Sequence, residues 1–178
     1  MFTKIVTVSL LLSMAYARVL LVRNEVSVPL IVSVTDQDDV TVLNHTTVPL
    51  TVPDAFSGSI SAIRSDTENK NVPRTRVELN LDAIADTYAV SLIDGFNLRA
   101  KVVPIQGTNC SAAVCAANLR SAGLCPVENQ VVNSLGVIEA CTNSPLLFGK
   151  VCPKAVVSSE DVTQVLSCQA VSYLIILG

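Results

Sequence analysis

Residues 89–126 read AVSLIDGFNLRAKVVPIQGTNCSAAVCAANLRSAGLCP, and this stretch decides the fold. An apolar run at residues 90–93 is followed by Asp94-Gly95 and by a second alternating run at residues 97–103. Asp-Gly between two such runs is a turn signal, because glycine tolerates the positive φ that tight turns require. All six cysteines lie beyond this turn, at Cys110, Cys115, Cys125, Cys141, Cys152 and Cys168. The second half of the chain is therefore predicted to be cross-linked and the first half not.

The composition suits one secreted domain. Half of the 178 residues are hydrophobic and only 4% are aromatic, which predicts a core of aliphatic side chains. Residues 1–17 have the features of a secretory signal peptide: Lys4, an apolar run, and a small-x-small cleavage site at Ala15-Tyr16-Ala17. The alternative is an uncleaved membrane anchor, since residues 19–22 extend the apolar run. Cleavage after Ala17 leaves residues 18–178 as one extracellular domain.

Charge and histidine content exclude several function classes. The net charge is −3 and no basic cluster is present in the sequence, which argues against a nucleic-acid partner. His45 is the only histidine, and it lies inside the glycosylation sequon Asn44-His45-Thr46, which predicts a glycan on Asn44 at the surface. A single histidine there supports neither a metal site nor a histidine-activated nucleophile. We therefore expect no metal, no cofactor, no nucleic-acid or membrane partner, and a monomer.

Short runs rich in β-branched residues, about ten residues apart with turn formers between them, predict an all-β sandwich. The runs at residues 18–23 and 28–34 are expected to form the first strand pair. Residues 75–81, TRVELNL, alternate so that Val77, Leu79 and Leu81 share one face while Arg76, Glu78 and Asn80 share the other. Further strands are expected at residues 40–43, 48–52, 60–64, 163–167 and 172–177.

The cysteine-rich segment carries two further signals. Six cysteines behind a signal peptide indicate an oxidising compartment and three disulfides, although spacing alone leaves the pairing open. Residues 111–123, SAAVCAANLRSAG, are expected to form a short helix that begins after Ser111 and ends at Gly123.

These motifs resemble the signature of the plant pathogenesis-related thaumatin-like proteins. The resemblance rests on VSLIDGFNL, on Cys115 followed by Ala-Ala-Asn, on Leu124-Cys125-Pro126, and on the outer segments LLVRNEVSVPLIVSV, TRVELNLD, VCPKAV and SCQAVSYLIIL. It implies a thaumatin-like β-sandwich with the nested bridges Cys110–Cys168, Cys115–Cys152 and Cys125–Cys141. Val26 and Gly178 stand where the family usually joins the two chain ends by a bridge, and the family's disulfide-rich lobe has no room between Cys141 and Cys152. The resemblance is thus to a minimal, six-cysteine form.

The family is known for an acidic cleft that binds β-1,3-glucan and in some members hydrolyses it weakly. The resemblance carries Arg64, Glu78 and Asp94 into this cleft, whereas Ala89 and Lys154 stand at positions where the family has Asp. The cleft is therefore expected to be depleted of acid, with one charge reversed. Lys154 would lower the pKa of a neighbouring carboxyl, which is the wrong direction for a general acid.

Four residues are candidate site residues. Glycoside hydrolysis uses two carboxyls about 5–9.5 Å apart, so Glu78 and Asp94 are the candidate catalytic pair, with Arg64 keeping one of them ionised. Tyr88, beside the depleted position, is the candidate sugar-binding aromatic residue. Each also has a simpler interpretation: a turn residue for Asp94, a solvent-facing strand position for Glu78, a surface ion pair for Arg64 and core packing for Tyr88.

Three functions remain open from the sequence. The first is a secreted defence or antifungal protein that binds β-1,3-glucan or another cell-surface carbohydrate. The second is a weak endo-β-1,3-glucanase that uses Glu78 and Asp94. The third is a secreted effector or inhibitor that acts by contact with a protein partner through its loops.

Overall fold

The computed structural model describes residues 17–118, 124–142 and 144–178, in which strands predominate. The elements, in chain order, are β1 (Ala17–Asn24), β2 (Leu30–Val34), β3 (Val40–Val42), β4 (Thr47–Pro53), β5 (Ser57–Arg64), β6 (Arg76–Asn80), β7 (Asp86–Ser91), β8 (Ala100–Ile105), β9 (Ala113–Cys115), β10 (Gln130–Val132), β11 (Ile138–Cys141), α1 (Pro145–Val151), β12 (Leu166–Cys168) and β13 (Ser172–Leu177). The predicted all-β fold is confirmed. Residues 1–16 of the predicted signal peptide lie outside the described residues, so that assignment stays a prediction.

Two sheets form the sandwich. A five-stranded sheet has the order β4-β1-β13-β8-β9, and a six-stranded antiparallel sheet has the order β12-β7-β6-β5-β2-β3. In the first sheet β1 and β13 run parallel, which sets the first and last strands of the described chain side by side. An ideal Cβ added to Gly178 would lie 2.9 Å from Val26 Cγ1, so these two residues are indeed neighbours. A separate two-stranded ribbon consists of β10 and β11.

The expected pairing of the first two strands is wrong. β1 pairs with β4 and β13, whereas β2 pairs with β3 and β5 in the other sheet. The reason lies in Asn24, which is fully buried where the chain crosses between the sheets. Its Nδ2 donates to the carbonyls of Val28 and Val42, and its Oδ1 accepts from the Val26 N–H. Because these backbone groups are bonded to a side chain, the crossover is held without a hairpin.

The turn at Asp94-Gly95 is present, and it also carries the chain from one sheet to the other. Gly95 has φ +113° and its N–H bonds to the Leu92 carbonyl. A side chain there would meet Pro73 and the Cys141 carbonyl oxygen, so both conformation and space require glycine. The chain leaves β7 of the six-stranded sheet at this turn and enters β8 of the five-stranded sheet.

The helix expected at residues 111–123 is also wrong. Residues 113–115 form the edge strand β9, which pairs with β8, and residues 119–123 lie outside the described residues. Helix propensity is overridden here by the sheet edge and by the bridge of Cys115. The three disulfides of the structure are those that the family resemblance implies: Cys110–Cys168, Cys115–Cys152 and Cys125–Cys141.

The core fills the space between the sheets. One apolar cluster takes inward-facing residues from both, including Val22, Leu30, Ile60, Val77 and Ile175, each fully buried. The predicted alternation in β6 is observed, since Val77, Leu79 and Leu81 are buried while Arg76 and Asn80 are exposed. In the described part of the chain, no helix has the length and apolar character that crossing a membrane requires.

A buried charged cluster lies between β1, β7 and β13. The Asp86 carboxylate is fully buried and accepts hydrogen bonds from Arg18 Nη1 at 2.7 Å, from the Asp82 N–H and from the Tyr173 hydroxyl at 2.7 Å. Arg18 Nε donates in turn to Asp54 at 2.8 Å. The Tyr173 ring packs against Tyr88 with a centroid distance of 5.2 Å, so the two phenols share one buried environment.

This environment predicts the alkaline behaviour of the protein. Burial raises the pKa of both phenols, and the hydrogen bond to Asp86 raises that of Tyr173 further. An unfolded phenol releases its proton near pH 10. Since the native state retains the protons longer, their contribution to stability is complete below about pH 10 and is lost as the pH rises further. In a chain that begins at Arg18, and so lacks Tyr16, phenolate absorbance should therefore increase only together with loss of the near-UV circular dichroism. Ionisation near pH 10 with an intact fold would contradict this expectation.

Candidate functional site

The outer face of the six-stranded sheet carries a patch of polar side chains. Strand register places Ser59 of β5, Glu78 of β6 and Ala89 of β7 side by side. On either side of this row, the register gives two further rows: Ser33, Ser61, Arg76 and Ser91 on one side, and Ser57, Asn80, Thr87 and Ser167 on the other. Residues opposite one another in register share a face, so hydroxyl, carboxylate, amide and guanidinium groups are displayed together, apart from the buried Ser91. We call this surface the polar face.

An apolar cap covers one end of the same side of the sheet. Ile63, Val72 and Ala140 form a second, smaller buried cluster, with Ile31 and Val131 packed against it. Ile31 and Ile63 lie on the same face of the sheet as Ser33 and Ser61, two residues away along β2 and β5. Val131 and Ala140 of the β10–β11 ribbon pack over them. The remaining part of the outer side, which carries the polar face, stays accessible.

Two adjacent depressions lie on the polar face. One, of about 390 Å³, contains Glu78 and Asn80. The other, of about 540 Å³, contains Arg76 and Asp94. Thr35 and Ser59 line both depressions, so the two are adjacent and share this part of their wall. Thr35 is fixed there, because its hydroxyl donates to the Ser59 carbonyl and accepts from the Ser59 N–H at 2.9 Å.

The two candidate catalytic carboxylates line different depressions. Glu78 is half-buried and stands opposite Ser59 and Ala89. Asp94 forms an ion pair with Arg76 Nε at 2.6 Å. Arg76 is thus the cation next to a candidate carboxylate. The alternation of residues 75–81 already placed Arg76 on the face of Glu78, and that was the signal that could have identified it.

Arg64 does not reach either carboxylate. It ends β5 and shares the parity of the buried residues Ile60 and Ala62, which places it on the opposite face from Ser59 and Ser61. Its guanidinium makes two hydrogen bonds to Asp66, at 2.8 and 2.7 Å, and this interaction raises the pKa of Arg64. Arg64 lines a separate depression of about 530 Å³. The expectation that it keeps Glu78 or Asp94 ionised is corrected accordingly.

Tyr88 is not available for stacking on a sugar. Its side chain is 1% exposed, and its hydroxyl donates to the Ser111 carbonyl at 2.6 Å. β7 directs Tyr88 and Val90 to the core, while Thr87 and Ala89 face outward. The physical reason is that successive side chains of a strand point to opposite faces, so Tyr88 and its neighbour Ala89 cannot face the same side. The simpler interpretation, a tyrosine packed in the sandwich, is the one observed.

The remaining candidate positions lie at the surface or add no charge. Ala89 is buried and places no polar atom beside Glu78. Lys154 is exposed, and its backbone forms an isolated antiparallel β-bridge with Val114 at the edge of the five-stranded sheet. Asn44 lies in an exposed turn between β3 and β4, where a glycan would not meet the core. In the chain outside residues 1–16, 119–123 and 143, no three His, Cys, Asp or Glu side chains are grouped as metal ligands.

Comparison with known proteins identifies the sequence family. The model of the thaumatin family matches residues 56–174. A glucan endo-1,3-beta-glucosidase of Prunus avium is 42% identical over 80 residues, which cover 43% of this chain and 32% of that protein. A thaumatin-like protein of Arabidopsis thaliana is 32% identical over 132 residues, which cover 58% of this chain and 54% of that protein. The chain thus spans from 32% to 54% of the length of these two relatives.

Solved structures agree on the fold. The protein elicitor MoHrip2 from Magnaporthe oryzae superposes with a TM-score of 0.52 at 11% identity, covering 90% of this chain and 98% of that one. The thaumatin-like xylanase inhibitor TLXI superposes with a TM-score of 0.51 at 13% identity, covering 89% and 97%. At these identities the similarity concerns the architecture alone.

Proposed function

The chain belongs to the thaumatin family, and from that premise we propose that it is a secreted, defence-type protein that binds β-1,3-glucan or a related cell-surface polysaccharide. The binding surface is the polar face around Glu78. Binding, with little or no hydrolysis, is the activity that this surface supports best.

The two adjacent depressions, together called the groove, carry this proposal. The groove crosses four neighbouring strands, β7, β6, β5 and β2, which at about 4.8 Å between strands makes it roughly 14 Å wide. Its walls present hydroxyls of Ser and Thr, the Asn80 amide and the Glu78 carboxylate. Such groups donate to and accept from sugar hydroxyls. Because a sheet holds them in register, little side-chain entropy is lost on binding.

The same geometry argues against efficient hydrolysis. The reaction needs one carboxyl kept protonated and a second kept ionised on either side of the glycosidic bond. In this chain the register neighbours of Glu78 are Ser59 and Ala89, neither of which carries a charge. Asp94 is engaged with Arg76 in the adjoining depression. Strand register thus places no second acid opposite Glu78, and Asp94 is already paired with a cation.

Weak hydrolysis is the second candidate function. It is supported by the adjacency of the two depressions, since one saccharide chain that lay across both would contact Glu78 and Asp94. The relative from Prunus avium, which matches this chain over 80 residues, is named as a glucanase. Release of reducing ends from β-1,3-glucan that disappears in both Glu78→Gln and Asp94→Asn would favour this candidate over binding alone.

Co-sedimentation with insoluble β-1,3-glucan tests the proposal, with cellulose as the control polysaccharide. The oxidised protein is expected to sediment with the glucan and not with cellulose. Glu78→Gln should weaken binding about tenfold, because a hydrogen bond to a charged group contributes about 1.5–3 kcal/mol. Glu128→Gln is the matched control, since Glu128 is exposed and lines neither depression of the groove. Equal binding by both variants, or equal binding to cellulose, would refute this site. Absence of all polysaccharide binding would favour a protein partner.

A further inference from the structure

The Arg76 end of the polar face differs chemically from the Glu78 end. We infer that this end binds the carboxylate of an acidic sugar, so that the polysaccharide recognised by the groove contains uronic acid residues. This inference rests on the proposed function, because it names the class of saccharide that the same groove takes. It concerns Arg74 and Arg76, two residues apart on the segment that leads into and begins β6.

Arg74 is held in place over the sheet. Its Nη1 donates to Ser33 Oγ at 3.3 Å, and its Nη2 donates to the Lys70 carbonyl oxygen. The side chain is half-buried and lines the same depression as Arg76. Because Nη1 and Nη2 each use one N–H on the protein, the plane of the guanidinium is fixed, and each of these nitrogens retains a second N–H that can donate to a planar carboxylate.

Arg76 is available for exchange of its partner. Its ion pair with Asp94 lies in solvent, with the two side chains 47% and 50% exposed. Exposed ion pairs of this kind contribute little to stability. A ligand carboxylate can therefore replace or share the contact with Asp94.

The charge balance in the depression selects an anion. Two guanidinium groups, of Arg74 and Arg76, face the single carboxylate of Asp94. Beside the apolar residues Val34, Val72 and Pro73, the lining includes donors and acceptors that suit sugar hydroxyls: Ser33, Thr35, Ser59, Ser61 and Asn71. One positive charge is thus in excess at this end, on a surface that is otherwise built for a neutral saccharide.

Glu78 sets the orientation of the ligand. It lies on the same face, two positions along β6 from Arg76, or about 6.7 Å at the rise of a strand. A second carboxylate at Glu78 would be repelled, so a neutral sugar is preferred there. The ligand is therefore a chain in which an acidic residue lies next to a neutral one, with the acid over Arg74 and Arg76.

Binding of matched oligosaccharides by calorimetry tests the inference. The probes are an oligosaccharide in which one galacturonic acid residue lies next to galactose, a galactose oligomer of the same length, a β-1,3-glucan oligomer and a sulfated glucan. The oxidised protein should bind the uronate oligomer about tenfold more tightly than its neutral counterpart, and the advantage should shrink with added salt. Arg76→Gln should remove the advantage, and Asp94→Asn should increase it by freeing Arg76.

Two variants serve as controls. Arg99→Gln removes an exposed arginine that lines the separate depression near Arg64, and it should leave the preference unchanged. Arg74→Lys keeps the charge but loses the fork, and it should retain only part of the preference, with its melting temperature showing that the fold is intact.

The outcomes distinguish failure of this inference from failure of the proposed function. A preference for uronate that survives Arg76→Gln and Arg74→Lys would overturn the inference, as would equal binding of the acidic and neutral oligomers. Tighter binding of the sulfated glucan through the same two arginines would overturn the carboxylate assignment. Binding of the neutral glucan alone would overturn the inference and leave the proposed function intact, whereas no binding of any saccharide would overturn both.

Discussion

Replacing Cys115 and Cys152 together by alanine is expected to lower the free energy of unfolding by about 3 kcal/mol. The bridge spans 37 residues, but the inner bridge Cys125–Cys141 already shortens that loop to roughly 20 residues in the unfolded chain. Both sulfurs are buried, at 1% and 2% exposure, so the loss of packing adds to the loss of the constraint.

The position of this bridge makes its effect extend to both sheets. Cys115 lies in β9, at the edge of the five-stranded sheet, and Cys152 follows α1. Four residues later, the Val156 N–H bonds to the Val90 carbonyl, and the Val156 carbonyl accepts from the Leu92 N–H, both at 2.8 Å. The bridge therefore holds the segment that docks on β7, the strand whose outer side forms part of the polar face.

Urea unfolding and amide hydrogen exchange together measure this effect. In the Cys115→Ala, Cys152→Ala variant the amides of Leu92 and Val156 should lose protection from exchange before the amides of β7 do. The matched control removes Cys110 and Cys168, which close the outermost loop at a half-buried site. That pair should lower stability by a similar amount but leave these two amides protected. Equal loss of protection in both variants would contradict the assigned path.

How far the sequence predicts this fold depends on the range of the interaction concerned. Alternation within a strand is local, so the two faces of β6 followed from TRVELNL, and the turn at Gly95 followed from its own residue type. The order of strands is not local. Residues 18–34 read as a hairpin because nothing in their pattern shows that Asn24 bonds to Val42, 18 residues away. Helix propensity at Ala113 likewise yields to pairing with β8.

The candidate site divides in the same way. The outward direction of Glu78 followed from alternation, and the same rule, extended from the buried residue Val90, gives the inward direction of Tyr88. Arg64 was carried over from the family motif, whereas its parity with Ile60 and Ala62 places it on the other face. The ion pair of Arg76 with Asp94 required the three-dimensional arrangement of β6 and the turn after β7.

Asp86→Asn is expected to have the largest effect of any single substitution, about 3–5 kcal/mol of lost stability. The carboxylate is fully buried and receives only donors: Arg18 Nη1, the Asp82 N–H and the Tyr173 hydroxyl. An asparagine amide has nearly the same shape but directs its own N–H₂ at these donors. It also leaves the Arg18 guanidinium, whose side chain is 13% exposed, without its buried counter-charge. No sequence pattern indicated this pair, because its members lie 68 residues apart.

A double-mutant cycle with Arg18→Met isolates the interaction from other losses. If the pair acts as one unit, the two single variants should each be strongly destabilised, and the double variant should be less destabilised than their sum by at least about 2 kcal/mol. The ion pair of Arg23 with Glu25 is the matched control, since its side chains are 47% and 44% exposed. Glu25→Gln should change stability by only about 0–1 kcal/mol. Additive losses in the cycle would mean that Arg18 and Asp86 stabilise the fold independently.

The Asp86 side chain is buried on the opposite side of β7 from Thr87 and Ala89, the residues that this strand carries to the polar face. The Asp86→Asn variant should therefore bind glucan normally wherever it remains folded. A loss of binding in a fully folded Asp86→Asn protein would instead make this buried cluster part of the site itself.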